Sequence, residues 1–290
     1  MIGPAKGGRA GLTVRFWGVR GSVSASGRAF MEFGGHTPCV EVRLGERLFV
    51  VDAGTGLASL GAALVREPQP AGAAPPTIDL LLSHLHLDHI GGLPFFKPLF
   101  LGGATVRVHC GNLGGETAEA ALERVFSPPT FPVRLADLAG RVEHVGFRAG
   151  ETLHFPDGVD VSTLPLKHPG GSTGYRFTHR GRTIAYVSDI EHGEIWPPDD
   201  LVAFLQGADL AVYDGMFTEA EYPPCRGWGH STWEKGVALA RAAGVERLAV
   251  FHHLPAHDDE TLRRIEARLK EAMPDAFLAR EGQSLTFDPV

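Results

Sequence analysis

Short apolar runs, each bounded by glycine, proline or polar residues, recur along the first third of the chain. Such runs are typical of strands, and they occupy residues 12–19, 40–44, 48–51 and 78–82. The second and third runs flank Gly45-Glu46, which predicts a hairpin. A helix is predicted after that hairpin, to about Arg66. The run at 78–82 is Leu-rich and is expected to be fully buried.

An alternating apolar and polar pattern follows in the middle of the chain, interrupted by turn pairs such as Asp157-Gly158 and Arg180-Gly181. It predicts an antiparallel meander over residues 142–144, 151–155, 159–166, 173–178 and 183–188. We expect these strands to form a second sheet that packs on the first. Further strands are predicted at 105–110, 209–215, 247–251 and near Phe277 and Leu285. Helices are predicted at 116–126, 233–243 and 258–273.

Composition bounds the class of protein. The 290 residues are 43% hydrophobic and 21% charged, enough for one sizeable core. We expect a disordered tail over residues 1–11, a single domain over residues 12–290 and a surface loop at 68–76. A net charge of −7 argues against a general nucleic-acid surface. Three scattered cysteines and no long apolar stretch predict a cytoplasmic protein that does not contact a membrane.

One polar cluster stands directly after the predicted strand at 78–82. It contains three histidines and one aspartate within six residues, His84, His86, Asp88 and His89. Nitrogen and carboxylate ligands suit zinc, and also iron or manganese. If the turn is tight, His84 and His86 face one ion while Asp88 and His89 reach a second. Surface histidines in a loop are the alternative.

The spacing His84-X-His86-X-Asp88-His89 after a hydrophobic strand resembles the signature of the metallo-β-lactamase superfamily. The resemblance implies an α/β fold, a four-layer αββα sandwich of two mixed sheets flanked by helices, with one or two metals at the sheet edges. It extends over residues 12–287. The family's functions vary, so the motif indicates the fold more strongly than the reaction.

The same resemblance implies the remaining metal ligands. His168, released into a loop by Pro169 and Gly170, completes a first set with His84 and His86. Asp189 bridges the two ions. His252 is favoured as the last ligand beside Asp88 and His89, with His253 as the alternative. The expected cofactors are two divalent ions, zinc first and manganese or iron as alternatives. Asp52, at the end of the second hairpin strand, is expected to support the site without binding metal.

The sequence Gly229-His230-Ser231-Thr232, with Asp214 upstream, resembles the phosphodiesterase branch that includes ribonuclease Z, class II cyclic-nucleotide phosphodiesterases and the phosphonate-pathway phosphodiesterase. The resemblance implies hydrolysis by a metal-bridged hydroxide, with Asp88 in the catalytic set. His230 would be the general acid, oriented by Asp214. The alternative for His230 is a structural hydrogen bond next to a helix cap. Basic residues that could contact an anionic substrate are Arg20, Lys167 and Arg176.

Two departures from that branch narrow the expected substrate. His168 and Asp189 are only 21 positions apart, which leaves no room for a long tRNA-gripping arm, and the extra Cys and His set of the phosphonate-pathway enzyme is missing. A small or short phosphodiester, cyclic nucleotides included, is therefore expected. Lactone or thioester hydrolysis and a non-hydrolytic di-iron oxygen or redox sensor remain alternatives. Trp228 and Trp233 flank His230 and suggest either a base-stacking pocket or a homodimer contact.

Overall fold

Two seven-stranded sheets pack face to face in this computed structural model, which describes residues 11–68, 77–111 and 114–289. Nearly all of the predicted tail and most of the predicted loop at 68–76 lie outside the described residues. The first sheet, in the order β14-β1-β2-β3-β4-β5-β6, contains β1 Leu12–Gly18, β2 Cys39–Leu44, β3 Arg47–Val51, β4 Thr77–Leu82, β5 Thr105–Cys110, β6 Arg141–Gly146 and β14 Ser284–Phe287. The second, in the order β13-β12-β11-β10-β9-β8-β7, contains β7 Thr152–Phe155, β8 Val159–Leu166, β9 Ser172–His179, β10 Arg182–Val187, β11 Leu210–Asp214, β12 Arg247–Phe251 and β13 Ala276–Leu278.

Helices cover the outer faces of both sheets. They are α1 Gly56–Arg66, α2 Leu87–Ile90, α3 Ala118–Glu123, α4 Asp199–Leu205, α5 Trp233–Ala243 and α6 Asp259–Ala272. Short 3-10 helices lie at Arg28–Phe30, Leu93–Phe95, Lys97–Phe100, Leu135–Asp137, Pro156–Gly158 and Pro223–Cys225. Side chains of α1 and α3 pack on the first sheet, those of α4, α5 and α6 pack on the second, and a third apolar cluster lies between the sheets. The predicted αββα sandwich of two mixed sheets is confirmed.

Helix α5 shows how local sequence sets an element that borders the site. The Thr232 side chain accepts a hydrogen bond from the backbone N–H of Lys235 at 3.2 Å, which caps the N-terminus. Gly244 ends the helix in the left-handed conformation with φ of +62°, a backbone state that glycine adopts without a Cβ clash. The helix therefore starts directly after the Gly229–Thr232 segment and holds it against the second sheet.

Three expectations from the sequence are wrong. The strand predicted at 142–144 does not join the second sheet, because β6 pairs in parallel with β5 at the edge of the first. Alternation reports which side chains are buried but does not identify the partner strand. The helix predicted at 116–126 is limited to α3, and α4 was not predicted. Trp233 does not line a surface, since its side chain is 5% exposed within the core that α5 covers.

The parallel strands determine where polar loops can meet. Strands β3 and β4 run parallel in one sheet, and β10, β11 and β12 run parallel in the other. Because the carboxyl ends of parallel strands lie at one edge, the segments after them converge there. No helix in the described part of the chain is long and apolar enough to cross a membrane.

Candidate metal centre

The segment after β4 carries the polar cluster on a short loop and on α2. Its anchor is Asp52, which lies at the end of β3 with no exposed surface. The Asp52 carboxylate accepts hydrogen bonds from the Ser83 N–H at 2.8 Å, the Ser83 hydroxyl at 2.9 Å, His89 Nδ1 at 2.8 Å and the Tyr186 hydroxyl at 2.7 Å. Asp52 thus fixes the loop and leaves Nε2 of His89 directed toward the cluster, which confirms its predicted supporting position.

His84, His86 and His168 form the first group. One ligand atom from each lies within 4.8 Å of the others, and Nε2 of His168 is 3.1 Å from Nδ1 of His86. The other nitrogen of His168 bonds to the Gly229 carbonyl at 2.8 Å. That bond fixes the ring and places Nε2 in the cluster.

Asp88, His89 and His252 form the second group. Nε2 of His252 and Nε2 of His89 each lie 3.3 Å from the same Asp88 oxygen, Oδ2. His253 points elsewhere, because its Nε2 bonds to the Ala279 carbonyl at 2.8 Å. The structure therefore brings His252 into the cluster and leaves His253 out of it.

Asp189 lies between the two groups and is 1% exposed. Its oxygens are 3.2 Å from Nε2 of His89, 3.5 Å from Nε2 of His252, and 3.9 Å and 3.8 Å from Nε2 of His84 and His168. Burial would raise the pKa of Asp189, but the surrounding imidazoles outweigh it and hold the pKa below the ordinary value. A single buried carboxylate thus faces ligand atoms of both groups.

The side chains of the cluster have the chemistry that a divalent metal ion requires. Within the described residues, Nε2 of His84 is buried and has no hydrogen-bond partner, which is costly unless another ligand satisfies it. Burial and the neighbouring imidazole of His89 also lower the pKa of His84, so its lone pair is free. Imidazole nitrogens and carboxylate oxygens in this number are the ligands that zinc and similar ions take. The metal ions that the fold family implies therefore fit these residues.

His230 and Asp214 form a buried pair beside the cluster. Nδ1 of His230 lies 2.8 Å from Oδ2 of Asp214, whose other oxygen accepts the Met216 N–H at 3.1 Å. The His230 ring is 5.3 Å from the ring of His168 and 4.9 Å from that of His252. Burial lowers the pKa of His230, but the Asp214 carboxylate outweighs it and raises the pKa to about 9. The Asp214 carboxylate therefore favours the protonated form of the His230 imidazole.

Gly229 stands in the Gly229-His230-Ser231-Thr232 motif, but no role was predicted for this glycine from the sequence. Its φ is +90°, and a Cβ there would lie 2.3 Å from Nδ1 of His168. Only glycine lets this carbonyl approach the imidazole closely enough to bond to it. Ser188 was also missed; its hydroxyl donates to Oδ2 of Asp189 at 2.8 Å. Gly229 directly precedes His230, and Ser188 directly precedes Asp189. That position next to a predicted site residue was the signal in the sequence that could have indicated them.

Two of the predicted substrate contacts need correction. Arg20 is fully buried, and its guanidinium donates to the carbonyls of Gly34 at 2.8 Å and His257 at 2.6 Å. Arg176 donates to the carbonyls of Phe204 at 2.7 Å and Gln206 at 3.0 Å, at the end of α4. Both guanidinium groups serve backbone carbonyls instead of the cluster. Lys167 is exposed and lines a pocket next to His168.

Comparisons with known proteins agree with this architecture. A family model described as a β-lactamase superfamily domain matches residues 47–253. A ribonuclease Z of Gemmatimonas aurantiaca is 23% identical over 267 residues, which cover 71% of this chain and 78% of that protein. A solved diphosphatase of the PhnP family has a TM-score of 0.70 at 20% identity, over 96% of this chain and 98% of that chain. Zinc-bound PqqB of Methylobacterium extorquens has a TM-score of 0.68 at 18% identity, over 94% of this chain and 99% of that chain.

Proposed function

The chain belongs to the β-lactamase superfamily, and from this premise and the site geometry we propose that it hydrolyses a small or short phosphodiester, cyclic nucleotides included. The ribonuclease Z relatives support a metal-dependent hydrolase of phosphodiesters. The observation that carries the proposal is the Asp214–His230 pair at 2.8 Å beside a cluster of metal-ligating side chains.

Two sets of side chains would hold the ions. His84, His86 and His168 form one set, Asp88, His89 and His252 form the other, and Asp189 faces both. Two divalent ions, zinc in the first instance, would activate water and clamp the oxygens of a phosphoryl group.

His230 would donate the proton that the leaving oxygen needs. Asp214 occupies Nδ1, so the proton available to substrate is the one on Nε2. Asp214 is fully buried and keeps the ring in one orientation, as the supporting carboxylate of a general acid must. Gly229 places His230 next to His168, because its carbonyl is bonded to Nδ1 of that residue.

The chain between His168 and Asp189 supports a short substrate. It consists of the hairpin β9–β10 with its turn at Arg180-Gly181, and all of its residues are described. No additional domain is inserted there to hold a large folded RNA.

The general-acid role is tested by varying how much the leaving group needs a proton. Bis(p-nitrophenyl) phosphate releases a stable aryloxide, whereas cyclic AMP and a thymidine dinucleotide release an alkoxide. We expect His230→Ala to lose about 100- to 10,000-fold in kcat on the alkyl esters and much less on the aryl ester. Its content of zinc, manganese or iron after separate loading should match wild type.

His154→Ala is the matched control, since that imidazole is exposed on β7 and bonds to Asp160. It should leave both rates unchanged. Equal loss on alkyl and aryl esters in His230→Ala would contradict the acid role. Turnover of nitrocefin or a simple lactone by wild type, without any phosphodiester turnover, would contradict the proposed function itself.

A further inference from the structure

A polar pocket of about 370 Å³ is lined by Lys167, which directly precedes His168, and by Glu191, which bonds to the backbone N–H of Gly229 next to His230. Its floor and rim are built from polar and charged side chains, among them Lys167, Glu191, His192, Tyr222, Arg226 and Lys235. Glu191, His192 and Tyr222 are each 9% exposed and form the floor, whereas Lys167 and Arg226 are exposed at its rim. None of these residues belongs to the ligand set described above.

Glu191 ties the floor of the pocket to a candidate metal ligand. Its carboxylate accepts hydrogen bonds from the Tyr222 hydroxyl at 2.9 Å and from the N–H groups of Gly227 at 2.6 Å and Gly229 at 3.3 Å. The Gly229 carbonyl in turn bonds to His168. The Glu191 carboxylate is therefore used to hold the segment 227–229, and the pocket shares that segment with the cluster.

His192 offers a hydrogen-bond donor to the pocket. The Tyr213 hydroxyl donates to the Ser231 oxygen at 2.7 Å, so the Ser231 hydroxyl is free to donate to Nδ1 of His192 at 2.9 Å. Burial lowers the pKa of His192, which favours the neutral ring. With Nδ1 accepting, the proton of the neutral ring lies on Nε2. Ser231 follows His230 directly, so this donor lies beside the proposed general acid.

Two cations of the pocket rim are left for a ligand. The lining carries Lys167, Arg226 and Lys235 against the carboxylates of Glu191 and Glu194. Glu191 is directed to the Tyr222 hydroxyl and to the N–H groups of Gly227 and Gly229, and Lys235 lies 3.5 Å from Glu219. Lys167 and Arg226 form no ion pair with the described residues, so these two cations and the imidazole N–H of His192 are available to an anion, with the exposed Glu194 as the opposing charge.

We propose that this pocket binds a second phosphate group of the substrate, carried on the part of the phosphodiester that leaves from the His230 side. The inference rests on the proposed function, because the metal centre must hold the first phosphate. Lys167 and Arg226 contact the second phosphate from the rim and His192 donates to it from the floor. Charge-assisted hydrogen bonds of this kind are the strong ones in phosphate recognition. The preferred substrates are then short phosphodiesters that also bear a terminal phosphate.

The test is a calorimetric binding comparison on the metal-loaded protein. Thymidine 3′,5′-bisphosphate is compared with thymidine 3′-monophosphate and thymidine 5′-monophosphate, none of which contains a diester to be cleaved. Wild type should bind the bisphosphate about tenfold more tightly than the better monophosphate. Lys167→Ala and Arg226→Ala should each reduce this preference by about fivefold, the value of a favourable ion pair near the surface. Added salt should reduce the preference as well.

Glu194→Gln should change the preference for the bisphosphate in the opposite direction to the two rim variants. Damage to the fold would not increase that preference. Removing that carboxylate should increase the preference for the bisphosphate. Lys270→Ala, an exposed charge on α6, is the matched control and should leave the preference unchanged. Absence of a preference in wild type, or an unchanged preference in the Lys167→Ala Arg226→Ala double variant, would overturn the proposal.

The outcome is separable from that of the proposed function. Turnover of bis(p-nitrophenyl) phosphate without any preference for the bisphosphate would overturn the pocket assignment and leave the phosphodiesterase intact. A preference that the rim variants remove, without turnover of any phosphodiester, would support the pocket and contradict the proposed reaction.

Discussion

Asp52→Asn is the substitution that most directly tests how the fold holds the site. Asp52 is fully buried, and four hydrogen bonds from Ser83, His89 and Tyr186 end on its carboxylate. Three of the donors share Oδ2 and one uses Oδ1. The residue has φ of +62°, which asparagine tolerates better than other side chains. The substitution therefore changes hydrogen bonding and charge without adding backbone strain.

The expected magnitude follows from that geometry. If the asparagine oxygen serves the three donors, its NH₂ group faces the Ser83 N–H, and a buried donor is left unsatisfied at about 1–3 kcal/mol. The bond to Nδ1 of His89 also weakens, because the acceptor has lost its charge. Loss of a carboxylate that orients a ligating histidine reduces metal affinity about 10- to 100-fold, which corresponds to about 1.4–2.8 kcal/mol.

The assay is a zinc titration against a competing chelator, together with urea unfolding of the metal-free protein. Asp209→Asn is the matched control. Asp209 is also buried and accepts bonds from Arg182 at 2.6 Å and from the Thr183 N–H at 2.7 Å, but it lies at the opposite end of β11 from Asp214. It should lower stability and leave zinc affinity unchanged. Zinc affinity of Asp52→Asn within twofold of wild type would refute the reasoning.

Two further predictions concern a backbone position and an ion pair. Gly229→Ala should lower zinc affinity at least tenfold, since a Cβ would lie 2.3 Å from Nδ1 of His168. Gly207 is the control, because its φ is also positive, at +62°, but a Cβ there would meet open space. In a titration against a chelator, Gly207→Ala should have the zinc affinity of wild type. Glu266→Gln should lower the free energy of unfolding at pH 7 by about 1–3 kcal/mol, because Glu266 holds Arg280 through two bonds of 2.7 and 2.8 Å. Burial would raise the pKa of Glu266, but Arg280 outweighs it and lowers the pKa below the ordinary 4.5. That stabilisation is present above pH 4.5 and is lost as the pH falls through the lowered pKa. In urea unfolding at decreasing pH, the difference in free energy of unfolding between wild type and Glu266→Gln should therefore shrink. A difference that stays constant with pH would contradict the assignment.

Much of the site could be predicted because its residues follow apolar runs. The structure brings together His84, His86, Asp88 and His89, which follow β4, and His252, which follows β12. A strand end is easy to locate from sequence, and the carboxyl ends of parallel strands share one edge. The pattern therefore located these residues at strand ends, and the resemblance to the metallo-β-lactamase superfamily implied that His168, Asp189 and His252 would join the cluster.

Long side chains and sheet membership could not be predicted in the same way. Arg20 follows the first predicted strand, but its guanidinium reaches carbonyls that are 14 and 237 positions away in sequence. Nothing local determines where such a head group ends. The same holds for β6, because its alternating pattern fits an edge strand of either sheet, and only the crossover through α3 places it beside β5.

The backbone of the site shows how the fold turns strand ends into a cluster. Within the described residues, positive φ values of non-glycine residues occur at Ser22, Asp52, Arg180, Asp189 and His252, and all but Arg180 contact the cluster or its supports. A non-glycine residue in the left-handed conformation costs about 1–2 kcal/mol of conformational free energy. Four such residues at one edge of the sheets therefore place much of the backbone strain at the site. In a regular strand, side chains alternate between the two faces of the sheet; the left-handed turn instead directs Asp189 and His252 past the strand ends, where residues from both sheets can meet. The hydrogen bonds that end on Asp52 and Asp189 offset part of the cost, which is why their loss should reduce metal affinity and stability together.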